Sequence, residues 1–296
     1  MVEPPSAVQL PRVIAADRPV IGLVLGGGAA RGFAHIGVIK VLEENGIRPD
    51  IVVGTSAGAF VGAFYAAGYD SAALAALADE MKEDQLRDIV WPDRGFVKGD
   101  RLQNFVNRRL KNRSIEDLLI RYGAVVTDLH SGATAVFTRG NVGMAVRASS
   151  AIPGIFEPVD IGGHEYVDGG LASPVPVQSA RDMGADVVIA VVIARRPEDT
   201  KLIASTTDVV VQALGIMVNN LSNRELRSAD VVVRPATAGL ASASFTTRAD
   251  AIEVGASAAN AVIGRLKALI ASVAKLKRAG AEGVSAGGQG ALLLPR

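Results

Sequence analysis

Gly54-Thr55-Ser56-Ala57-Gly58 sets one serine between two glycines in the pattern G-x-S-x-G. The apolar stretch Ile51–Val53 precedes it and the apolar stretch Ala57–Ala67 follows it. Strand, sharp turn and helix in that order are the setting of a nucleophile elbow, in which the serine hydroxyl projects from a sheet edge. Small flanking residues permit the turn, and the amides that open the following helix favour negative charge nearby. On its own the pentapeptide is weak evidence, because a glycine-rich strand–helix turn with no catalytic role carries the same letters.

A second candidate lies upstream, in Gly26-Gly27-Gly28-Ala29-Ala30-Arg31-Gly32. Three consecutive glycines can turn successive N–H groups toward one anion. Beside Ser56 they would form an oxyanion hole for acyl transfer, where one such donor lowers the barrier by roughly 3–4 kcal/mol. The rival reading is a dinucleotide loop. G-x-G-x-x-G requires glycine where Arg31 stands, and the next strand leads into a serine elbow instead of a ribose-binding acid. Arg31 fits either a brace for the loop or a phosphate contact.

The usual hydrolase triad needs a histidine, and the chain has three: His35, His130 and His164. His35 falls in the helix after the glycines, and the other two fall in turns, so all three read as structural. Asp168, in Tyr166-Val167-Asp168-Gly169-Gly170, is the more suggestive acid. Two glycines after a short strand can aim a carboxylate at a site, although Asp-Gly is also the commonest of turn dipeptides.

The elements that must position these residues alternate. Val20–Leu25, Ile51–Val53, Ala124–Thr127, Thr134–Thr138, the stretch ending at Val167, Asp186–Ile193 and Val231–Arg234 read as strands. Ala30–Asn45, closed by Gly46, and Ala57–Ala67, stopped by Gly68, read as helices. Ser71–Arg121 reads as mostly helical with a break at Trp91–Asp100, and Ile252–Leu276 as one amphipathic helix. The near-continuous β-branched run at Asp186–Ile193 marks a strand covered on both faces. Together they predict one α/β domain of three layers, with a mainly parallel central sheet flanked by helices.

Composition narrows the function. The chain has 296 residues, 49% of them hydrophobic and 21% charged, ordinary for a globular protein with a large core. Thirty-one basic residues against 30 acidic leave a net charge of +1, without the clustered basic excess of a nucleic-acid binder. There are no cysteines, so disulfides, thiol catalysis and cysteine-bound metals are excluded. No apolar stretch reaches the 18 residues that would span a bilayer.

Four ordered blocks together resemble the patatin-like phospholipases, in their bacterial branch. They are LGGGAARGFAHIGVIKVLEENGI, GTSAG, ASSAIPGIFEPV and YVDGGLASPVPV, running from about Ile21 to at least Val192. The resemblance implies a catalytic dyad of Ser56 as nucleophile and Asp168 as general base, with Gly26, Gly27 and Gly28 in the oxyanion hole and Arg31 as the basic residue of that motif. Gly54 and Gly58 flank the elbow. It implies hydrolysis of phospholipid or other fatty-acyl esters through an acyl-enzyme, with no calcium, metal or cofactor. The alternatives are an acyl thioesterase or small-ester esterase with the same dyad, and a non-enzymatic lipid-binding regulator. Plant-type members carry G-G-G-x-R, whereas two alanines precede Arg31 here.

Around this domain, placed at residues 19–279, residues 1–18 read as a flexible leader and 280–296 as a disordered tail. No export signal is visible in the leader, so a cytoplasmic or membrane-peripheral protein is expected; the leader also fits what remains after removal of an export segment, which would make it periplasmic or lipid-anchored. Phe60, Phe64, Tyr65 and Ile152–Phe156 read as core or as an acyl groove. Trp91–Asp100 fits a helix connection or a lid. Arg265, Lys267, Lys275, Lys277 and Arg278 on the last helix read as a solvated face or a seat for anionic lipid.

Overall fold

The computed structural model describes residues 17–81, 97–199, 203–237 and 248–287. Its centre is an eight-stranded sheet: β1 (Ile21–Leu25), β2 (Ile51–Thr55), β3 (Arg121–Asp128), β4 (Thr134–Phe137), β5 (Val159–Ile161), β6 (His164–Asp168), β7 (Val187–Val191) and β8 (Val231–Val233). The strands run in the order β5-β6-β3-β2-β1-β7-β8, with β4 also paired to β3. β3-β2-β1-β7-β8 is parallel throughout, and β4, β5 and β6 are antiparallel additions at one end. The three-layer, mainly parallel α/β fold expected from the sequence is the one observed.

Alternation along the strands divides the core. Leu23, Leu25, Val187, Ile189 and Val191 face one layer, while Val24, Val188 and Ala190 face the other. The first layer contains α1 (Phe33–Glu44), α2 (Ala57–Ala66), α3 (Ser71–Glu80), α4 (Asp100–Arg109), α5 (Val142–Ser149), α8 (Arg248–Asn260) and α9 (Ile263–Gly287). The second is thinner, built on α6 (Val177–Asp182) and the turn after α7 (Thr206–Glu225). α1 and α8 cross with backbones in contact: a Cβ on Gly37 would lie 1.9 Å from the Ile252 carbonyl oxygen.

Several expectations need correction. The stretch Ser71–Arg121 contains α3 and α4, but Leu110–Ile120 is turn and a short 3-10 segment, and 82–96 lie outside the described residues. The helix expected over Ile252–Leu276 is two helices meeting at a 51° bend after Asn260. A single apolar period runs through that bend, so periodicity alone hides it. α5, α6 and the 20-residue α7 were not anticipated. α9 continues to Gly287, past the expected start of the tail at 280. Leader residues 1–16 lie outside the described residues, while Arg18 is anchored by a bidentate pair with Asp50.

Candidate active site

The elbow is shaped by backbone contacts that exclude side chains. A Cβ on Gly54 would sit 2.3 Å from the Gly58 carbonyl oxygen, and one on Gly58 would sit 1.9 Å from that of Leu25. Only glycine allows β1, β2 and the start of α2 to close this tightly. Ser56 takes φ 56° and ψ −121°, a left-handed region that costs a non-glycine residue of order 1–3 kcal/mol. It stands at the N-cap position of α2 yet makes no side-chain cap.

Strand register brings the carboxylate to the hydroxyl. β2 pairs with β3 as far as Thr55 opposite Val125, and β6 takes up β3 at the next residue, Asp168 opposite Val126. β4 spans both stretches of β3, so it occupies the other edge, and β2 and β6 meet end to end. Asp168 is therefore buried against the elbow, close enough to the Ser56 hydroxyl for the two side chains to influence each other. Its Oδ1 also accepts from the Gly170 amide at 2.7 Å. Burial is the larger influence and lifts the carboxyl to about 6, against the neighbouring Ser56 hydroxyl and Gly170 amide, which favour the ion.

The glycine loop departs from expectation. The Gly26 amide donates to the Val191 carbonyl at 3.0 Å and the Gly27 amide to the Pro174 carbonyl at 3.1 Å. Neither N–H is turned toward an anion. Gly27 stays beside Ser56, with space for a Cβ 3.5 Å from the serine Cβ. Gly28 is the member whose amide has no backbone acceptor among the described residues. The first amides of α2, beginning with Ala57, have no acceptor within their helix, as at every helix start. Arg31 acts as the loop's brace, its Nε donating to the Gly28 carbonyl at 3.1 Å. Burial and nearby Arg195 lower its guanidinium to about 10, which leaves it charged.

The three histidines are committed elsewhere. His35 is fully buried, its Nε2–H donating to the Gly26 carbonyl at 2.9 Å, and burial holds it neutral by pushing its pKa down to about 4. His130 and His164 are exposed and lie against Glu165 and Asp128.

Four further residues, none of them a candidate site residue in the sequence, build the frame. Ser149 Oγ accepts from the Ser56 amide at 2.9 Å and donates to the Val125 carbonyl at 2.6 Å. Thr55 Oγ1 donates to the Ser173 carbonyl at 2.8 Å. Glu225, the last residue of α7, accepts from the Ser173 hydroxyl and, at 2.8 Å, from the Val175 amide. Glu225 thereby fixes the Ser173–Val175 segment, whose carbonyls hold both Thr55 and Gly27. Ser149 and Ser173 fall inside resemblance blocks; Glu225 lies 52 residues from Ser173 with no pattern to mark it.

Of the candidate groove residues, Phe64 and Tyr65 are core, and half-buried Phe60 packs 5.0 Å from the Phe64 ring. Ile155 is exposed, and Val97 bridges to Phe156. On the last helix Lys277 pairs with Asp186, and Arg265 donates to the Asp230 carbonyl.

The comparisons with known proteins identify the family. Residues 23–181, more than half of the chain, match the family model described as patatin-like phospholipase. The rat patatin-like phospholipase domain-containing protein 7 is 36% identical over 198 residues, covering 64% of this chain and 14% of that protein's length. An NTE family protein of Mycobacterium bovis is 37% identical over 183 residues, covering 61% of this chain and 51% of its own. The crystal structure of VipD from Legionella pneumophila shares the fold, with a TM-score of 0.60 at 16% identity over 83% of this chain and 67% of VipD. With its elbow, glycine loop and Asp-Gly turn gathered at one end of the sheet, this chain belongs to the patatin-like phospholipase family.

Proposed function

We propose that this chain hydrolyses fatty-acyl esters of lipids, with Ser56 as nucleophile and Asp168 as general base, and without a metal. The observation that carries the proposal is the strand register that sets a buried carboxylate, Asp168, beside the strained, buried Ser56. Ionised Asp168 accepts the hydroxyl proton as Ser56 Oγ attacks the ester carbonyl. A carboxylate is a weak base for an alcohol, so stabilisation of the oxyanion must supply much of the rate. The amides of Gly28 and Ala57 are the donors for it, one from the braced loop and one from the helix start. Protonated Asp168 returns its proton to the departing alcohol, and water then attacks the acyl-enzyme with Asp168 again as base. Nothing further is required.

A substrate series tests this reading: lysophospholipid, diacyl phospholipid, short nitrophenyl ester and acyl-CoA, with fatty-acid release measured for each. Release from the phospholipids at higher kcat/KM than from the others is the expected result. Preference for acyl-CoA would make the chain a thioesterase, preference for the short ester a small-ester esterase, and release from none would leave a lipid-binding protein without catalysis.

A further inference from the structure

Six of the ten exposed large apolar side chains among the described residues sit on one helix, α7. They are Val209, Val210, Val211, Leu214, Ile216 and Met217, each 39–61% exposed. Successive helix residues turn by about 100°, so these positions cover roughly 220° of the circumference. A seam for one partner helix is a stripe about 100° wide. An arc this broad suits immersion in an apolar medium better than contact with a second copy.

The surroundings identify the medium. Exposed Arg195 and Arg196 lead into the short 3-10 turn Pro197–Asp199, which packs against α7; Gln212 Nε2 donates to the Pro197 carbonyl at 2.9 Å. Arg195 lies close enough to Arg31 for their charges to repel, which puts this turn beside the glycine loop; of its two acids, Asp199 offsets Arg195 there and is held by the Arg196 amide. α7 also packs on the Gly169–Leu171 turn that follows Asp168, and its end clamps Ser173–Val175. Apolar turns, arginines and the candidate site therefore share one side of the molecule. Apolar side chains flanked by arginines are the signature of a helix that enters an anionic bilayer surface.

We propose that the first three turns of α7, with Arg195 and Arg196, dock the protein on an anionic phospholipid surface so that the Ser56 site faces its substrate. The placement rests on the lipid-hydrolase reading for its purpose, but not for its test. Flotation of the full chain with vesicles of phosphatidylcholine and phosphatidylglycerol measures it. Wild type is expected to float with mixed vesicles and less with phosphatidylcholine alone. Val210→Glu with Met217→Glu lowers binding by roughly tenfold or more, whereas Val210→Leu with Met217→Leu keeps it. Arg195→Glu with Arg196→Glu removes the preference for anionic vesicles. Ser56→Ala floats like wild type, so failed hydrolysis and failed docking are separate results. As an independent readout, Val210→Trp in a Trp91→Phe background shifts its emission to shorter wavelength when mixed vesicles are added. Unchanged flotation of the glutamate variant with a native thermal melt, or an unshifted emission, overturns the proposal. So does a wild-type dimer that the same glutamates dissociate, which would mean that a second copy covers the face.

Discussion

Two carboxylate–serine pairs stand near each other in this molecule. In one, Asp168 lies beside Ser56 and accepts from the Gly170 amide; in the other, Glu225 accepts from the Ser173 hydroxyl and the Val175 amide. Burial raises both carboxyls, to about 6 and about 7. In composition they are twins. Their settings separate them. Ser56 is held at φ 56° between glycines where α2 begins, beside amides with no acceptor. Ser173 instead lends its own carbonyl to Thr55, and Pro174 lends its carbonyl to Gly27. A buried acid beside a hydroxyl becomes a nucleophile pair only where the backbone also supplies strain and anion-binding donors; elsewhere the same pair is a clamp.

The sharpest way to break this comparison is to neutralise each acid. Asp168→Asn is expected to lower kcat by about a thousandfold or more with the fold intact, because no base remains for the hydroxyl proton. In the wild type, kcat/KM should rise with pH through about 6 as Asp168 ionises. A profile flat from pH 5 to 8 would remove Asp168 from the base role.

Stability should move the opposite way. The folded carboxyl is raised from 3.8 to about 6, so the folded state binds the proton more tightly and stability falls as pH rises across that interval. Above it, Asp168→Asn relieves a buried charge and should gain on the order of 1–3 kcal/mol at pH 8, with little gain at pH 4, by thermal or urea unfolding.

The clamp should respond more mildly. Glu225→Ala is expected to reduce kcat by roughly tenfold with KM little changed, since it loosens the segment that holds Thr55 and Gly27. Glu225→Gln, which can still accept from Val175 and donate to Ser173, should restore most of that loss. A large change in KM alone would mean that Glu225 meets substrate. Smallest of all, Ser173→Ala should cost no more than about threefold in kcat, because Glu225 keeps the Val175 amide.

The strand, elbow and helix around Ser56 were legible because their signals are local: an apolar run, a glycine-flanked serine, an apolar helix. Asp168 stood out locally only as an acid in an Asp-Gly turn, and its role came from the resemblance, for what unites it with Ser56 is the hand-over of β3 from β2 to β6, a register that no local pattern encodes. The glycine triplet follows its composition only in part. Its composition permits three inward amides, but β7 and the Pro174 carbonyl claim two of them. α7 escaped notice because Val209–Val211 and Ile216–Met217 break the helical period, being apolar on the outside as well. Exposed large apolar side chains accordingly cluster on α7, while on the last helix Lys277 and Arg265 bind the protein's own acceptors.

The central claim is that Ser56 is an acyl-accepting nucleophile activated by Asp168. Intact mass after brief exposure to a fluorophosphonate measures it directly. Wild type should gain one phosphonyl adduct, mapped to the peptide containing Ser56; Ser56→Ala should gain none, and Asp168→Asn should react far more slowly. Equal labelling of wild type and Ser56→Ala, or an adduct mapped to Ser173, would contradict the account.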